Sequence, residues 1–242
     1  MNYKISTTLL TFIATITFTA PIEAHYLWVT IDKSEGEHGT AKIYFEGGPF
    51  PGDGSYLDRY FKNGTTWIQK PAEKSKILET ADVKVPEKKK RWISAKLPAD
   101  NPRVVESYFK FGVYQYGKTF TLLHYYAKNL DISTHEDLHD VARSENLALD
   151  IVPHDHSGKV QLTVLWKGKP AKGRTVKLRG PAKFQVNVKT DENGQVEFTP
   201  KAAGRYTFLT NVEEELKGVD DGEDYELIRH QSTLVMTLPL EK

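Results

Sequence analysis

Val160-Gln161-Leu162-Thr163-Val164-Leu165-Trp166 places an apolar side chain at every second position, and Gly168-Lys169-Pro170 ends the run. A period of two marks a strand with one buried face. The same signature continues outward. Val176 and Leu178 alternate again, and Asn193-Gly194 supplies the positive-φ pair that a tight hairpin needs. Val196 and Phe198 leave that turn, Gly204 opens a strand through Tyr206 and Phe208, and Tyr225 to Leu238 closes the chain. Short alternating strands between regular turns predict an all-β sandwich.

Upstream the pattern is coarser. Tyr26 to Ile31, Thr40 to Glu46, Arg91 to Leu97 and Leu147 to Val152 read as strands. Val104 to Tyr116 is dense in aromatics and pairs with Thr119 to Lys128 through Gly117-Lys118, a predicted hairpin. Gly47 to Gly54 is a loop by composition, and Tyr56 to Phe61 is a short strand or turn. Thr134 with Asp137 resembles a capping box, so Ser133 to Arg143 is expected to hold a short helix. Pro153 to Gly158 reads as a turn-rich junction. The expected organisation is a signal peptide over 1–24, a β-rich domain over 25–152 and an Ig-like sandwich over 153–242. The fold class is thus all-β, with two β-sandwich (Ig-like) domains and one short helix after a cleaved signal peptide.

Lys4 followed by the apolar and hydroxylic run Ile5 to Ala20 has the form of an export signal. Ala20 and Ala24 both offer cleavage points; cutting after Ala24 makes His25 the first mature residue. No later run is long enough to cross a bilayer, which predicts a soluble periplasmic or extracellular protein. The chain holds 33 Lys and Arg against 32 Asp and Glu, so its net charge of +1 gives no general pull toward nucleic acid or anionic lipid. Cysteine is absent, which excludes disulfides, thiolate ligands and a cysteine nucleophile. Any metal site must use imidazole, carboxylate, backbone or terminal amine. No Gly-x-Ser-x-Gly elbow or Walker loop is present, and no enzyme active site is expected.

Two resemblances follow from particular residues. Leu165 to Gly173, Thr190 to Phe198 and Ala203 to Tyr206 resemble a prealbumin-like or bacterial Ig-like sandwich. Across the whole mature chain, Ala24-His25-Tyr26-Leu27-Trp28, Tyr114 to Lys118, Leu123 to Lys128, Leu149 to Pro153 and Arg229 to Leu234 resemble the NikM-like family of exported proteins associated with nickel and cobalt uptake. That resemblance implies a transition-metal role as a soluble component beside a membrane metal transporter.

The candidate metal ligands are His25, His230 and His124. As a first mature residue, His25 chelates one ion through its α-amine and a ring nitrogen, because the amine deprotonates readily under a metal. Imidazole suits nickel, cobalt and copper. The family resemblance makes His230 its best partner, and His124 a third. His135 and His139 have i, i+4 spacing, with Asp137 and Asp140 nearby; the plainer reading is a solvated polar helix. His154 and His156 flank Asp155 in what reads as a polar linker. Lys88 to Arg91 reads as a solvated turn, and the acidic run from Glu213 to Asp224 as a flexible hairpin loop. The favoured function is binding of nickel, cobalt or copper as an accessory to uptake. One alternative is a structural or adhesive surface module that binds protein or glycan without metal. Another is a copper oxidase like the lytic polysaccharide monooxygenases, which this chain resembles only in its mature histidine and sandwich core.

Overall fold

Residues 25–156 and 158–240 are described by a computed structural model. The signal peptide expected over 1–24 lies outside the described residues. In chain order, β1 (Tyr26–Asp32) and β2 (Thr40–Glu46) precede α1 (Asp58–Asn63), and β3 (Gly64–Gln69), β4 (Lys76–Ile77), β5 (Ala81–Val85) and β6 (Lys90–Lys96) follow it. The long hairpin is β7 (Arg103–Tyr116) and β8 (Thr119–Asp131); α2 (His135–Val141) comes next. Then come β9 (Leu149–His156), β10 (Lys159–Trp166), β11 (Lys169–Pro170), β12 (Thr175–Arg179), β13 (Gln185–Lys189) and β14 (Gln195–Phe198). The chain closes with β15 (Gly204–Glu214), β16 (Gly218–Asp220), β17 (Glu223–Tyr225) and β18 (Leu227–Leu238).

An eight-stranded sheet in the order β13-β12-β15-β18-β8-β7-β3-β4 forms the middle layer. Its join is the parallel pairing of β18 with β8, which runs from Leu227 opposite Thr121 to Met236 opposite Leu130. The sheet therefore carries strands from both sides of residue 152. A four-stranded sheet, β1-β2-β6-β5, covers one face, and the sheet of β9, β10, β11 and β14 covers the other. The chain is all-β, with sandwich packing on both faces of the central sheet.

Side-chain parity explains the layering. Successive residues of a strand point to opposite faces. Val105, Phe109, Leu123, Tyr125 and Ala127 join Leu27, Val29, Ile43, Phe45 and Ile93 in one core. Their neighbours Val104, Tyr126 and Leu130 join Leu149, Ile151, Leu162, Val164, Phe208 and Leu234 in the other. β7 and β8 are thus buried on both faces. Cross-layer bonds fix β1 over the join: Thr233 Oγ1 donates to the Leu27 carbonyl at 2.6 Å and Asn129 Nδ2 to that of Val29 at 3.2 Å.

The central ionic groups inside these cores are paired, as burial requires, although Glu106 Oε1, Gln69 Oε1, Thr121 Oγ1 and Trp92 Nε1 have no hydrogen-bond partner among the described residues. Lys128, with 1% of its side chain exposed, forms an ion pair with Asp150 of β9 and donates to the Ala142 carbonyl at 2.6 Å. Asp150 also accepts from the Ser144 amide at 2.8 Å, and Asn146 Nδ2 donates to Glu106 at 2.8 Å. Burial raises the Glu106 carboxyl above its ordinary range, with Lys128 opposing. This network ties the centre of β8 to β9.

The capping box forms as expected: Asp137 N donates to Thr134 Oγ1 at 3.2 Å and Thr134 N to Asp137 Oδ2 at 3.0 Å. Two local expectations are corrected. Tyr56 to Phe61 is not a strand; its second half lies in α1, which buries Tyr60 so that its hydroxyl meets Ser107 Oγ at 2.8 Å. Pro153 to Gly158 is not all turn, because β9 runs through Pro153 to His156. Proline is tolerated there because β9 is an edge strand, where no ladder partner needs its missing N–H.

Candidate functional site

The register of β18 on β8 sets His230 directly beside His124. Neighbouring strands lie about 4.8 Å apart, so identical rings opposite each other stack. Their centroids are 5.0 Å apart at 20°. Both side chains point toward the β9–β10 sheet, where Trp166 lies over His230 at 4.3 Å. Tyr108 Oη meets His124 Nδ1 at 2.8 Å, and Tyr126 Oη meets His230 Nδ1 at 3.1 Å. His230 Nε2 lies 3.1 Å from Glu214, which also pairs with Lys167 at 3.0 Å.

These contacts fit neutral imidazoles. Each tyrosine donates to Nδ1, which leaves the Nε2–H tautomer, and His230 passes that proton toward Glu214. Burial first, then the neighbouring His230, lowers His124 to about 4. Burial also lowers His230, against the pull of Glu214. Burial alone would raise Glu214, but its bonds from Lys167 and His230 hold it below the ordinary carboxylate range. The acidic segment read as a hairpin loop contains a paired hairpin, β16–β17, whose Asp220 meets Lys110 at 2.7 Å beside this cluster. Stacked rings send their in-plane lone pairs along parallel lines. A single ion shared by His124 and His230 would require one ring to turn.

His25 lies on the other face of the central sheet. Its ring packs on Phe45 at 5.8 Å and edge-on to Tyr56 at 5.4 Å, and Phe45 in turn meets Tyr125 at 4.8 Å. The structure therefore brings together His124 and His230 and leaves His25 at a separate rim. There, antiparallel pairing of Tyr26 with Glu46 places the Glu46 carboxylate 3.7 Å from His25 Nε2. The Gly54 amide also donates to Glu46, at 3.3 Å. Burial raises Glu46 above its ordinary range, while the Gly54 bond and His25 oppose. Asp53 is held low by the Ser55 hydroxyl and amide, and it too feels His25.

Among the described residues, no group of three or more His, Cys, Asp or Glu side chains is arranged to hold a metal ion. The rim fits a metal only with a further donor from the main chain. An α-amine beside Nδ1 would be that donor if His25 were the first residue of the mature chain, and Nε2 faces Glu46 in the way that a ligating imidazole uses its second nitrogen. Glu46 and Asp53 were not singled out from the sequence. Their signal was local: both lie in or beside the glycine-rich loop next to the first strand. Tyr108, Tyr126, Trp166 and Glu214 were missed at the inner cluster, where the shared parity of Tyr126 and His124 was visible but the β8–β18 pairing was not.

Fold and side chains together define an all-β protein of stacked sheets, with one inward and one rim histidine site. The chain belongs to the DUF4198 family, a domain of unknown function, whose model matches residues 22–214. No curated protein matches this chain. Among solved structures it is similar to domains NIE–MG1 of alpha-2-macroglobulin from Escherichia coli, at 10% identity over 85% of this chain and 97% of that one, with a TM-score of 0.23. It is also similar to the BSP domain of a biofilm-associated protein, at 9% identity over 88% and 52%, with a TM-score of 0.21. TM-scores this low assign no activity. No helix among the described residues is long and apolar enough to cross a membrane.

Proposed function

We propose that this is an exported, non-catalytic protein that binds a divalent transition ion, nickel, cobalt or copper, at His25. The observation that supports it is the Glu46 carboxylate 3.7 Å from His25 Nε2 on a partly exposed rim. Cleavage after Ala24 releases the α-amine beside Nδ1, and the two close a chelate ring. Glu46 then orients the imidazole and balances the charge of the ion. The resemblance to NikM-like proteins extends this reading to metal handling beside a membrane transporter, in the periplasm or outside the cell. His124 and His230 take a supporting part, holding the β8–β18 join beneath the layer that carries His25.

The test is metal content after export. Secreted protein cut after Ala24 retains nickel, cobalt or copper through gel filtration. His25→Ala lowers retention by one equivalent per chain, and Glu46→Gln weakens binding at this position by about 10- to 100-fold, the usual effect of an outer-shell partner. Equal metal content in all three proteins contradicts the proposal. A surface-interaction role has one observation in its favour. Tyr114 and Phe120, 39% and 43% exposed, line an open depression with Glu223 and Asp224. That reading predicts binding to a protein or glycan that is indifferent to metal and lost in Tyr114→Ala/Phe120→Ala.

A further inference from the structure

Helix α2 presents His135 and His139 with their Nε2 atoms 3.0 Å apart and their rings nearly perpendicular. The arrangement has local causes. The Thr134–Asp137 capping box fixes the helix start, and Leu138 and Val141 bury its apolar side. The helix cannot rotate without exposing those residues, so the histidine pair stays beside β9. His154 of β9 and His139 both line a cavity of about 350 Å³, together with Leu138, Val152 and Thr163.

The chemistry of this group differs from that of His25, His38 and His230 and, as at His124, no carboxylate among the described residues pairs with it. His25 faces Glu46, His38 faces Asp100 at 3.2 Å, and His230 faces Glu214. Among the described residues, none of His135, His139 and His154 has a carboxylate in ion-pair range. Imidazoles gathered without an anion repel once protonated. They are matched instead to something that two lone pairs can share: a proton or a metal cation. An ion bound about 2.0–2.1 Å from each of two nitrogens sets them roughly 2.9 Å apart at a right angle and roughly 3.3 Å apart at a tetrahedral one. The observed separation lies near the right-angle value, which suits tetragonal copper(II) or nickel(II).

We propose that His135 and His139 form a two-imidazole divalent-cation site that takes copper(II) or nickel(II) independently of His25, with His154 lining the cavity beside them as an outer-shell partner. When a cation binds, the proton between the two Nε2 atoms leaves to solvent, and the ring that carried it holds its N–H on Nδ1 instead; no oxidation state changes.

The experiment uses the tag-free chain carrying His25→Ala, titrated with copper(II) and followed by calorimetry and by electron paramagnetic resonance. One equivalent is expected, with nitrogen splitting from at least two imidazoles. Adding His135→Gln and His139→Gln, which keep the helix and touch no core residue, is expected to weaken binding by more than ~100-fold and to remove the splitting. Adding His154→Gln instead weakens it by roughly 10-fold or more. Circular dichroism checks that each variant is folded. The inference is overturned if His25→Ala binds no copper(II), or binds it equally well without His135 and His139. If wild-type protein then still binds one equivalent, the His25 reading stands alone; if His25→Ala and wild type bind the same single equivalent through α2, the His25 reading fails instead.

Discussion

His124 and His230 occupy the inward face of the eight-stranded sheet, whereas His25 occupies a rim on the opposite face. In the inner pair His230 is buried and His124 half-buried, and the two are stacked and hydrogen-bonded by Tyr108, Tyr126 and Glu214. The rim histidine keeps 31% of its side chain exposed and faces one carboxylate. The same residue type therefore does two different jobs. Enclosure turns imidazole into a neutral packing element, because burial in low dielectric disfavours its charged form. Partial exposure beside a carboxylate keeps it available for a cation. Which job a histidine performs is decided by the layer that covers it, not by the strand that carries it.

This contrast can be broken from the inner side first. Lys128→Ala, on the inward face two positions past Tyr126, leaves Asp150 charged and enclosed. A loss of about 3–5 kcal/mol is expected from the denaturation midpoint. A loss below about 1 kcal/mol would mean that this face is wetter than its packing implies. His230→Ala removes the ring against Trp166 and His124 and strands the Tyr126 hydroxyl, while Glu214 keeps its pairing with Lys167. About 2–4 kcal/mol is expected, read the same way.

The pH dependence is smaller and has a defined sign. In the unfolded chain His124 titrates near ~6.5; in the folded chain it titrates at about 4. Above the first value both states hold neutral imidazole and there is no effect. Below it the unfolded chain takes up a proton that the folded chain refuses, so stability falls with falling pH until about 4. The depressed His230 acts in the same direction, and Asp220, Lys110 and Glu214 are the charged groups that tune the pair. A loss on the order of 1–3 kcal/mol across this window is expected, and a flatter profile in His124→Asn. Identical profiles would place the acid sensitivity elsewhere. The smallest stability effect belongs to His25→Ala, at about 0.5 kcal/mol, as for a partly exposed side chain at the start of a strand.

Local chemistry was legible in the sequence, and long-range pairing was not. Gly117 turns the long hairpin at φ 61°, whereas Asn193-Gly194 makes a turn, with only Gly194 at positive φ (72°), that joins β13 and β14 of two different sheets and not the strands of a hairpin. The capping box at Thr134 announced α2. These features depend on neighbours a few residues apart. α1 was misread because Tyr56, Tyr60 and Phe61 favour strands, and only the docking of Tyr60 onto Ser107 decides otherwise. β3 was passed over although Thr65, Thr66, Trp67 and Ile68 carry strand propensity. The burial of β7 and β8 on both faces was hidden by Glu106 and Lys128, which read as solvent-facing until Asp150 and Asn146 supply their partners. The candidate site divided in the same way. His25, His124 and His230 were visible as residues. That two of them are neighbours and the third lies across the sheet depends on a parallel pairing between β8 and β18, which no local signal encodes.

The central claim is that the rim histidine binds metal through its own terminus while the inner pair does not. Nickel(II) calorimetry on two forms tests it most directly, with His135→Gln and His139→Gln in both to silence α2. One form begins at His25, verified by intact mass; the other carries one extra residue before it. The account predicts tight stoichiometric binding by the first and its loss in the second. Equal binding by both would place the ion at an internal histidine, and no binding by either would leave the rim without its proposed role.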